Sequence, residues 1–555
     1  MLRFIKNKTT FTLLTLLFIG ALLRFYNLNW GSPLYFHPDE RNIASSISQL
    51  QFPGAMNPHF FAYGSLPIYT IFFTALPFSF ISSCNATFIS CHVRFEDAIF
   101  FGRAYSAIFS LLLIPIMYGL GKRLFPALPS AGMLGATLTT FTTGLLQFAH
   151  FATFEIWNTF FSVLLFLLSV TSLSTLSKKN ILFLSFVTGA LISIKATNAL
   201  LLPIPFIAIF IHLLSKRKTQ KKWLPFFTKF TLTSLFIVIL SALIFVVTNP
   251  FTFLAMNDFR NTINYESDVA LGTLPVFYTG EFYHTIPILF QLQKVFPFLL
   301  NPVLELLGVF GFILGCLTLI KKWSSSLFLL LLTAAILLIP QAFFFVKWVR
   351  YMVPTIPFFI LLATFCFEKL SEKKQVQKLF APLSVATIII TAIFGISYFM
   401  TAFVEKDTRV AASEYAASHI PQNAYLVADI YDMGIVTFNA HFPRIDLFNY
   451  YDLDNNSPES SPEVLEAKLH DYDYLVLPSQ RILATRLEHP DMFPKGAAFY
   501  RKLLSDKKLF VKFYETPCTI FCQITYLGDQ VFRFEGTANA FDRPPVQIYK
   551  IVQHR

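Results

Sequence analysis

Two adjacent carboxylates, Asp39 and Glu40, stand in the segment Phe36-His37-Pro38-Asp39-Glu40-Arg41, about ten residues past the first apolar stretch. Desolvating charge beside a membrane is costly, so such a pair needs a partner or a task. One task suits the residue type: a positioned carboxylate takes the proton of an attacking hydroxyl. The plainer reading has Asp39 capping the helix that begins near Glu40, Asp being a favoured N-cap. Lys195 ends the apolar run 189–194 (GALISI). An ammonium there is expensive unless it is partnered or snorkels to the interface. Arg350 lies beside Trp348 and Tyr351. Its planar guanidinium suits bidentate phosphate binding as well as interfacial anchoring. Arg103 opens a span, where anchoring and anion binding are both open. Glu155 follows His150 in a short loop and also suits a helix start, where the dipole favours an acid. His37 and His150 raise the question of a divalent cation shared with Asp39 and Glu155. Lone histidines in such loops also serve structure.

These residues are spread over a chain of 555 residues, 55% hydrophobic, with 67 Phe and only 14% charged. Ordinary soluble domains carry roughly 25% charged residues, and apolar runs able to cross about 30 Å of hydrocarbon recur over the first 400 positions. The composition predicts an α-helical polytopic membrane protein. The net charge of +12 does not indicate nucleic acid, because the basic residues cluster beside spans and act as topology determinants. Arg3, Lys6 and Lys8 precede the first span, and further clusters stand at Lys122-Arg123, Lys178-Lys179, Lys216 to Lys222, Lys321-Lys322 and Lys369 to Lys378. Placing them all in the cytoplasm gives eleven spans, near 9–27, 103–121, 131–149, 156–176, 181–197, 199–215, 228–248, 298–320, 326–346, 351–369 and 380–401. The amino end is then cytoplasmic and the carboxyl end extracytoplasmic. Leu66 to Ile81 is apolar but short, contains Pro67 and Pro77, and has no basic cluster after it. It reads as an interfacial or re-entrant helix within a first outer loop, 28–102.

A second long outer loop, 249–297, mixes Phe259, Tyr265, Phe277, Tyr278 and Tyr283 with Asp258, Glu266, Asp268 and Glu281. Aromatic platforms with carboxylates suit sugar or headgroup contact, and long loops over membrane sites often act as lids. A membrane domain thus covers 1–401. The more polar remainder, 402–555, reads as an extracytoplasmic α/β domain with a helix at Arg409–Ile420. Strands are expected at Tyr425–Ile430, Tyr474–Pro478, Lys508–Tyr514 and Val546–Val552. Cys84–Cys91 and Cys518–Cys522 are candidates for local disulfides in an oxidising compartment. No P-loop or dinucleotide fingerprint occurs.

The order of these features resembles the polytopic glycosyltransferases of the C-type fold, in particular the protein O-mannosyltransferase-like family 39. The resemblance rests on the outer Asp39-Glu40 after a first span, an interfacial segment around Leu66-Pro67, and a span opening Gly102-Arg103-Ala104-Tyr105 and closing Gly121-Lys122-Arg123. It continues through Glu155, the stretch 189–198 (GALISIKATN), Arg350-Tyr351-Met352-Val353-Pro354 and the stretch 408–424. It implies transfer of a hexose or pentose, mannose among them, from a polyprenyl-phosphate carrier to a protein or glycan acceptor at the outer face of the cell membrane. The family's catalytic aspartate carries over to Asp39, with Glu40 and Glu155 as companion acids. Lys195, Arg350 and Arg103 become the donor-phosphate ligands. His37, His150, Tyr63 and Tyr351 fall among acceptor, sugar or loop contacts. The lipid-linked sugar is a substrate, and a divalent cation is the one cofactor left open. Some lipid A-modifying relatives carry Lys-Pro-Pro before the second interfacial helix; this chain has Tyr63-Gly64-Ser65-Leu66-Pro67.

A transporter or flippase of a lipid-linked sugar is the alternative. It would place ionisable groups near the bilayer midplane, whereas these acids lie in outer loops. An asparagine-directed oligosaccharyltransferase would want Asp-x-Asp in the first outer loop and Trp-Trp-Asp in the outer domain, and neither is present.

Overall fold

A computed structural model describes residues 8–83, 91–220, 223–372, 377–430, 433–455 and 458–552. Arg3, Lys6, Lys221, Lys222, Lys373, Lys374 and Cys84 of the sequence reading lie outside the described residues. The chain opens with α1 (Lys8–Phe25), α2 (Pro38–Ser48), α3 (Ser65–Ser83) and α4 (Phe95–Leu124). Next come α5 (Ala131–Phe141), α6 (Thr143–Gln147), α7 (Glu155–Ser174), α8 (Lys178–Ile194), α9 (Pro203–Gln220) and α10 (Leu224–Thr248). The second long loop contains α11 (Phe251–Leu254), α12 (Met256–Leu271) and α13 (Phe296–Leu299). The last bundle helices are α14 (Pro302–Lys321), α15 (Ser325–Ala342), α16 (Val349–Met352), α17 (Ile356–Glu372) and α18 (Gln377–Phe399).

Ten segments among the described residues are long and apolar enough to cross a membrane, so this is a multi-pass membrane protein. Nine of them coincide with spans expected from the sequence. The tenth is α3, read from the sequence as re-entrant. Its first backbone groups are fixed at the ends of α8 and α10: the Gly64 amide donates to Ile194 O at 2.9 Å and the Ser65 amide to Asn249 Oδ1 at 2.6 Å. Its far end meets the start of α4, where the Arg94 amide donates to Ser79 Oγ at 3.1 Å. The opposite end of α4 lies beside the end of α7, since Arg123 donates to Thr171 and Ser174 at 3.0 Å each. The start of α4 and the ends of α8 and α10 therefore share one face, and α3 begins and ends on it.

Two expected spans fall short of a continuous long helix. Residues 131–150 cross as a broken rod, α5, then α6, then a turn of 3-10 helix. The break is at Thr142, whose φ of −65° and ψ of 124° are extended. Thr139, Thr140 and Thr142 each return a hydroxyl to the carbonyl four residues back, which competes with helix propagation and bends helices. The second, α8, has 17 residues. With these two included and α3 set aside, the bundle has eleven crossings. The segment formed by α16 and α17 is its axis, 89% buried, against 22% for α18 and 11% for α10.

Beyond α18 the chain forms a five-stranded sheet of β1 (Leu426–Asp429), β2 (Ile445–Phe448), β3 (Tyr474–Leu477), β4 (Phe510–Glu515) and β5 (Gln547–Ile551), in the order β2-β1-β3-β5-β4. β1 runs parallel to β2 and β3, while β5 is antiparallel to β3 and β4. Val427, Leu475, Tyr549 and Ile551 face one apolar cluster and Leu426, Val476 and Ile548 another, as a sheet covered on both faces requires. The expected helix is Thr408–His419 and the four expected strands are present. β2, with Ile445 and Asp446 half-buried and Leu447 exposed, carried too weak a pattern to be read. Cys518 and Cys522 form a disulfide.

This domain sits on the bundle end that holds the start of α4. Gln147 Nε2 donates to Asp542 Oδ2 at 3.1 Å and to Ala538 O at 3.0 Å, and the Tyr398 hydroxyl donates to the same Asp542 oxygen.

Candidate active site

Between that end of the bundle, the 251–299 loop and the C-terminal domain lies a cavity of about 750 Å³. His37, Asp39, Tyr63, Glu155, Lys195, Arg350 and Tyr351 all line it. Seven of the ten residues singled out by the sequence are thus brought together from five separate parts of the chain.

The helix carrying Asp39 starts two residues earlier than expected, at Pro38. Its N-cap is His37, with φ −81° and ψ 114° and no side-chain cap, and Pro38 takes the first helical position, where a missing N–H costs nothing. Asp39 is therefore not the cap. Its carboxylate forms an ion pair with Arg350, both side chains only about a quarter exposed (27% and 26%). The Arg350 guanidinium also lies 4.5 Å above the Trp348 ring, which fixes its plane.

Glu40 and Arg103 are placed differently from the sequence expectation. They are fully buried and face each other: Arg103 Nε donates to Glu40 Oε1 at 2.9 Å and Nη2 to Oε2 at 2.6 Å. Arg103 Nη1 donates to the carbonyls of Leu28 (2.7 Å) and Trp30 (2.8 Å), and the Ala152 amide donates to Glu40 at 2.6 Å. These bonds tie the 28–40 segment to α4 and the 150–155 loop. Neither residue lines the cavity. His150 is likewise structural. Its ring nitrogens lie 2.8 Å from Leu146 O and 3.1 Å from Tyr26 O, and its ring stacks on Phe403 at 3.7 Å. The metal set Asp39, Glu155 and His150 does not assemble, and no group of three or more His, Cys, Asp or Glu suited to a metal occurs among the described residues.

Lys195 ends α8, half-buried, with its ammonium 4.8 Å from the Tyr351 ring centre and 5.9 Å from that of Tyr63. Among the described residues it makes no ion pair or hydrogen bond, and it lines the cavity. Tyr63 donates to Glu155 Oε1 at 3.1 Å, while Glu155 Oε2 is buried without a partner. Gly64 lets this loop lie against α8; a Cβ there would sit 2.0 Å from Ser193 O. Buried polar groups are nearly always satisfied, so an unmet carboxylate oxygen and an unmet ammonium beside one cavity mark a place for a polar ligand.

Glu266 stood among the loop carboxylates read as suited to sugar or headgroup contact, whereas Phe541 and Arg409 escaped the sequence reading. Glu266 of α12 lines the cavity, and burial raises its carboxyl above the usual range against the pull of Arg350 and Lys195. Phe541, from a loop between strands, packs at a tilt on the His37 ring with centroids 4.3 Å apart, and Phe151 meets the same ring edge-on at 4.7 Å. That burial lowers the His37 imidazole below 6.5, although Glu40, Asp39 and Glu155 pull it upward. Arg409 reaches the cavity with its guanidinium 3.7 Å over Phe36, held by Asp407. An aromatic between Asn-Ala and Asp-Arg-Pro-Pro carries no local signature, and nothing in the sequence distinguished Phe541.

No family model matches the chain, and no curated protein matches it in sequence. Among solved structures it resembles the oligosaccharyltransferase of Archaeoglobus fulgidus in the apo form, at 13% identity and a TM-score of 0.49, over 90% of this chain and 73% of that one. The same enzyme in complex with an inhibitory peptide and a dolichol-phosphate gives 14% identity and 0.46, over 91% and 73%. ArnT from Cupriavidus metallidurans bound to undecaprenyl phosphate gives 12% identity and 0.44, over 84% and 91%.

Proposed function

We propose that this chain is a membrane glycosyltransferase that moves a hexose or pentose from a polyprenyl-phosphate carrier to an acceptor hydroxyl at the outer face of the cell membrane. One observation carries the reading: the carboxylate of Asp39 shares a cavity with the cations of Arg350 and Lys195, where the bundle meets the C-terminal domain. Displacement at an anomeric carbon needs a base on one side of the sugar and a cationic cradle for the departing phosphate on the other. In the reaction the acceptor oxygen bonds to the anomeric carbon, the bond from that carbon to the phosphate oxygen breaks, and configuration inverts. Asp39 takes the acceptor's proton; Arg350 and Lys195 hold the polyprenyl phosphate as it leaves. The guanidinium rests on Asp39. A phosphate gives it a second anion to engage, which frees a carboxylate oxygen for the acceptor. Glu155, fixed by Tyr63, orients the acceptor or sugar, and Tyr63, Tyr351 and Trp348 provide ring faces. In this orientation the amino end is cytoplasmic and the C-terminal domain extracytoplasmic. A transporter would carry these charges at mid-bundle; here they stand at one end.

The test supplies membranes carrying the protein with a panel of polyprenyl-phosphate hexoses and pentoses. Asp39→Asn is expected to lower transfer by about 100-fold or more, the usual contribution of a positioned base. Transfer at the original rate would remove Asp39 from the chemistry. Flipping of lipid-linked sugar across vesicles without transfer would favour the transport reading.

A further inference from the structure

We infer that Glu535 of the C-terminal domain is a positioning residue for Arg350, so that the phosphate end of the cavity is built jointly by the bundle and the outer domain. This rests on the donor-phosphate reading given above. The backbone amide of Val349, whose carbonyl carbon is bonded to the Arg350 nitrogen, donates to Glu535 Oε2 at 2.9 Å. That carboxylate is itself fixed by its own segment: the Thr537 amide donates to Oε1 at 2.9 Å and the Thr537 hydroxyl to Oε2. The Glu535 amide in turn donates to Lys294 O at 3.1 Å. The next residue reaches the other outer element, the Gly536 amide donating to Glu281 at 3.0 and 3.1 Å. A three-residue strap thus grips both the 277–282 turn and the start of the segment that presents Arg350.

The geometry gives this contact leverage. Glu535 and Val349 are buried, so an unmet amide or carboxylate there would not be solvated. Val346 to Trp348 precede α16 without helical bonding, and the Trp348 indole N–H is itself unpartnered; the bond from the Val349 amide to Glu535 adds a directed restraint to the packing of Trp348 on Tyr278 and Phe282. The Arg350 guanidinium must meet Asp39 and a phosphate within hydrogen-bonding distance, and small displacements of such groups cost rate or affinity steeply. Glu535 does not line the cavity, so it acts through Arg350 and not on the ligand.

The experiment uses the full-length protein in nanodiscs with polyprenyl phosphate alone as the probe. Glu535→Ala is expected to weaken binding roughly tenfold in the Arg350 background and to add nothing once Arg350→Ala is present. Glu535→Gln keeps an acceptor for the amide and should stay within about threefold of the starting protein. Should Glu535→Ala not fold, Val349→Pro removes the donor of the same bond. Proline is accommodated at a first helical position, and Trp348, at ψ 145°, is already in the range that precedes proline. A cryo-EM map of either variant should show Arg350 displaced from Asp39. Equal weakening with and without Arg350, or an unmoved Arg350 with unchanged affinity, would overturn the assignment. If the starting protein does not bind polyprenyl phosphate, the donor reading fails instead, and the position of Arg350 in the map alone decides the role of Glu535.

Discussion

At the scale of single residues, adjacency in sequence proved a poor guide to shared chemistry. Asp39 and Glu40 point to different surroundings because successive helical side chains lie about 100° apart. One carboxylate reaches the cavity and the other disappears into a pocket closed by Arg103. The two therefore answer differently to mutation. Arg103→Ala leaves Glu40 as an uncompensated buried charge and should cost about 3–5 kcal/mol, measured as a large drop in thermal unfolding temperature. Asp39→Asn should leave that temperature nearly unchanged while removing activity. His37 supplies a pH dependence with a definite sign. Its pKa in the folded protein is held below the unfolded value of 6.5, chiefly by burial, so the unfolded state binds the extra proton between those two values. Stability is fully present above pH 6.5 and declines as pH falls below it. His37→Gln should flatten this acid limb in thermal unfolding measured between pH 5 and 8; an unchanged limb would mean another group titrates there.

At the scale of elements, length and hydropathy alone misjudge two kinds of segment. A continuous apolar helix such as α3 satisfies both criteria, yet its ends are bonded to neighbours on one face. A segment such as 131–150 fails them through a threonine-driven break, yet it connects opposite faces: Gly121 packs against Ala131 at one end, and Trp30 donates to His150 O at 3.0 Å at the other. Labelling distinguishes these placements. A membrane-impermeant maleimide should modify Ile81→Cys, an exposed position near the end of α3, from the same side as His59→Cys. Lys178→Cys should react only after permeabilisation. Modification of positions 81 and 59 from opposite sides would make α3 a crossing and reverse every later segment.

At the scale of the whole molecule, the C-terminal domain helps to build the cavity. It contributes Phe541 against His37, Glu535 against Val349, and the buried Asp542 that receives Gln147 and Tyr398 from the bundle. Burial raises the Asp542 carboxyl from 3.8 to about 6, although its hydrogen bonds to Tyr398 and Gln147 oppose the shift. For an acid whose folded pKa is raised, docking is strongest below the unfolded value near 4 and weakens as pH rises toward 6. A shift of this size corresponds to on the order of 3 kcal/mol of docking strength lost by pH 7. Asp542→Asn keeps an acceptor oxygen and removes the charge. It should raise the unfolding temperature at pH 7 and leave it unchanged at pH 4; a lower temperature at pH 7 would show that the charged form is what the bundle holds.

Composition and the spacing of apolar runs determined on their own that this chain crosses a membrane many times and ends in a small α/β domain. Burial of apolar surface and backbone hydrogen bonding in lipid allow few other outcomes. The sequence also made Asp39, Lys195 and Arg350 legible, because each is an ionisable group beside hydrocarbon and such positions are rarely idle. Tertiary structure decided their relations. Nothing local to residues 39, 195 and 350 encodes that a carboxylate and two cations meet, that Glu40 and Arg103 cancel one another out of sight, or that Phe541 packs on His37 and Glu535 holds the Val349 amide from some 500 and 190 residues away. Those facts depend on which helix faces turn inward and which loops are pinned together, and packing across the whole bundle sets both.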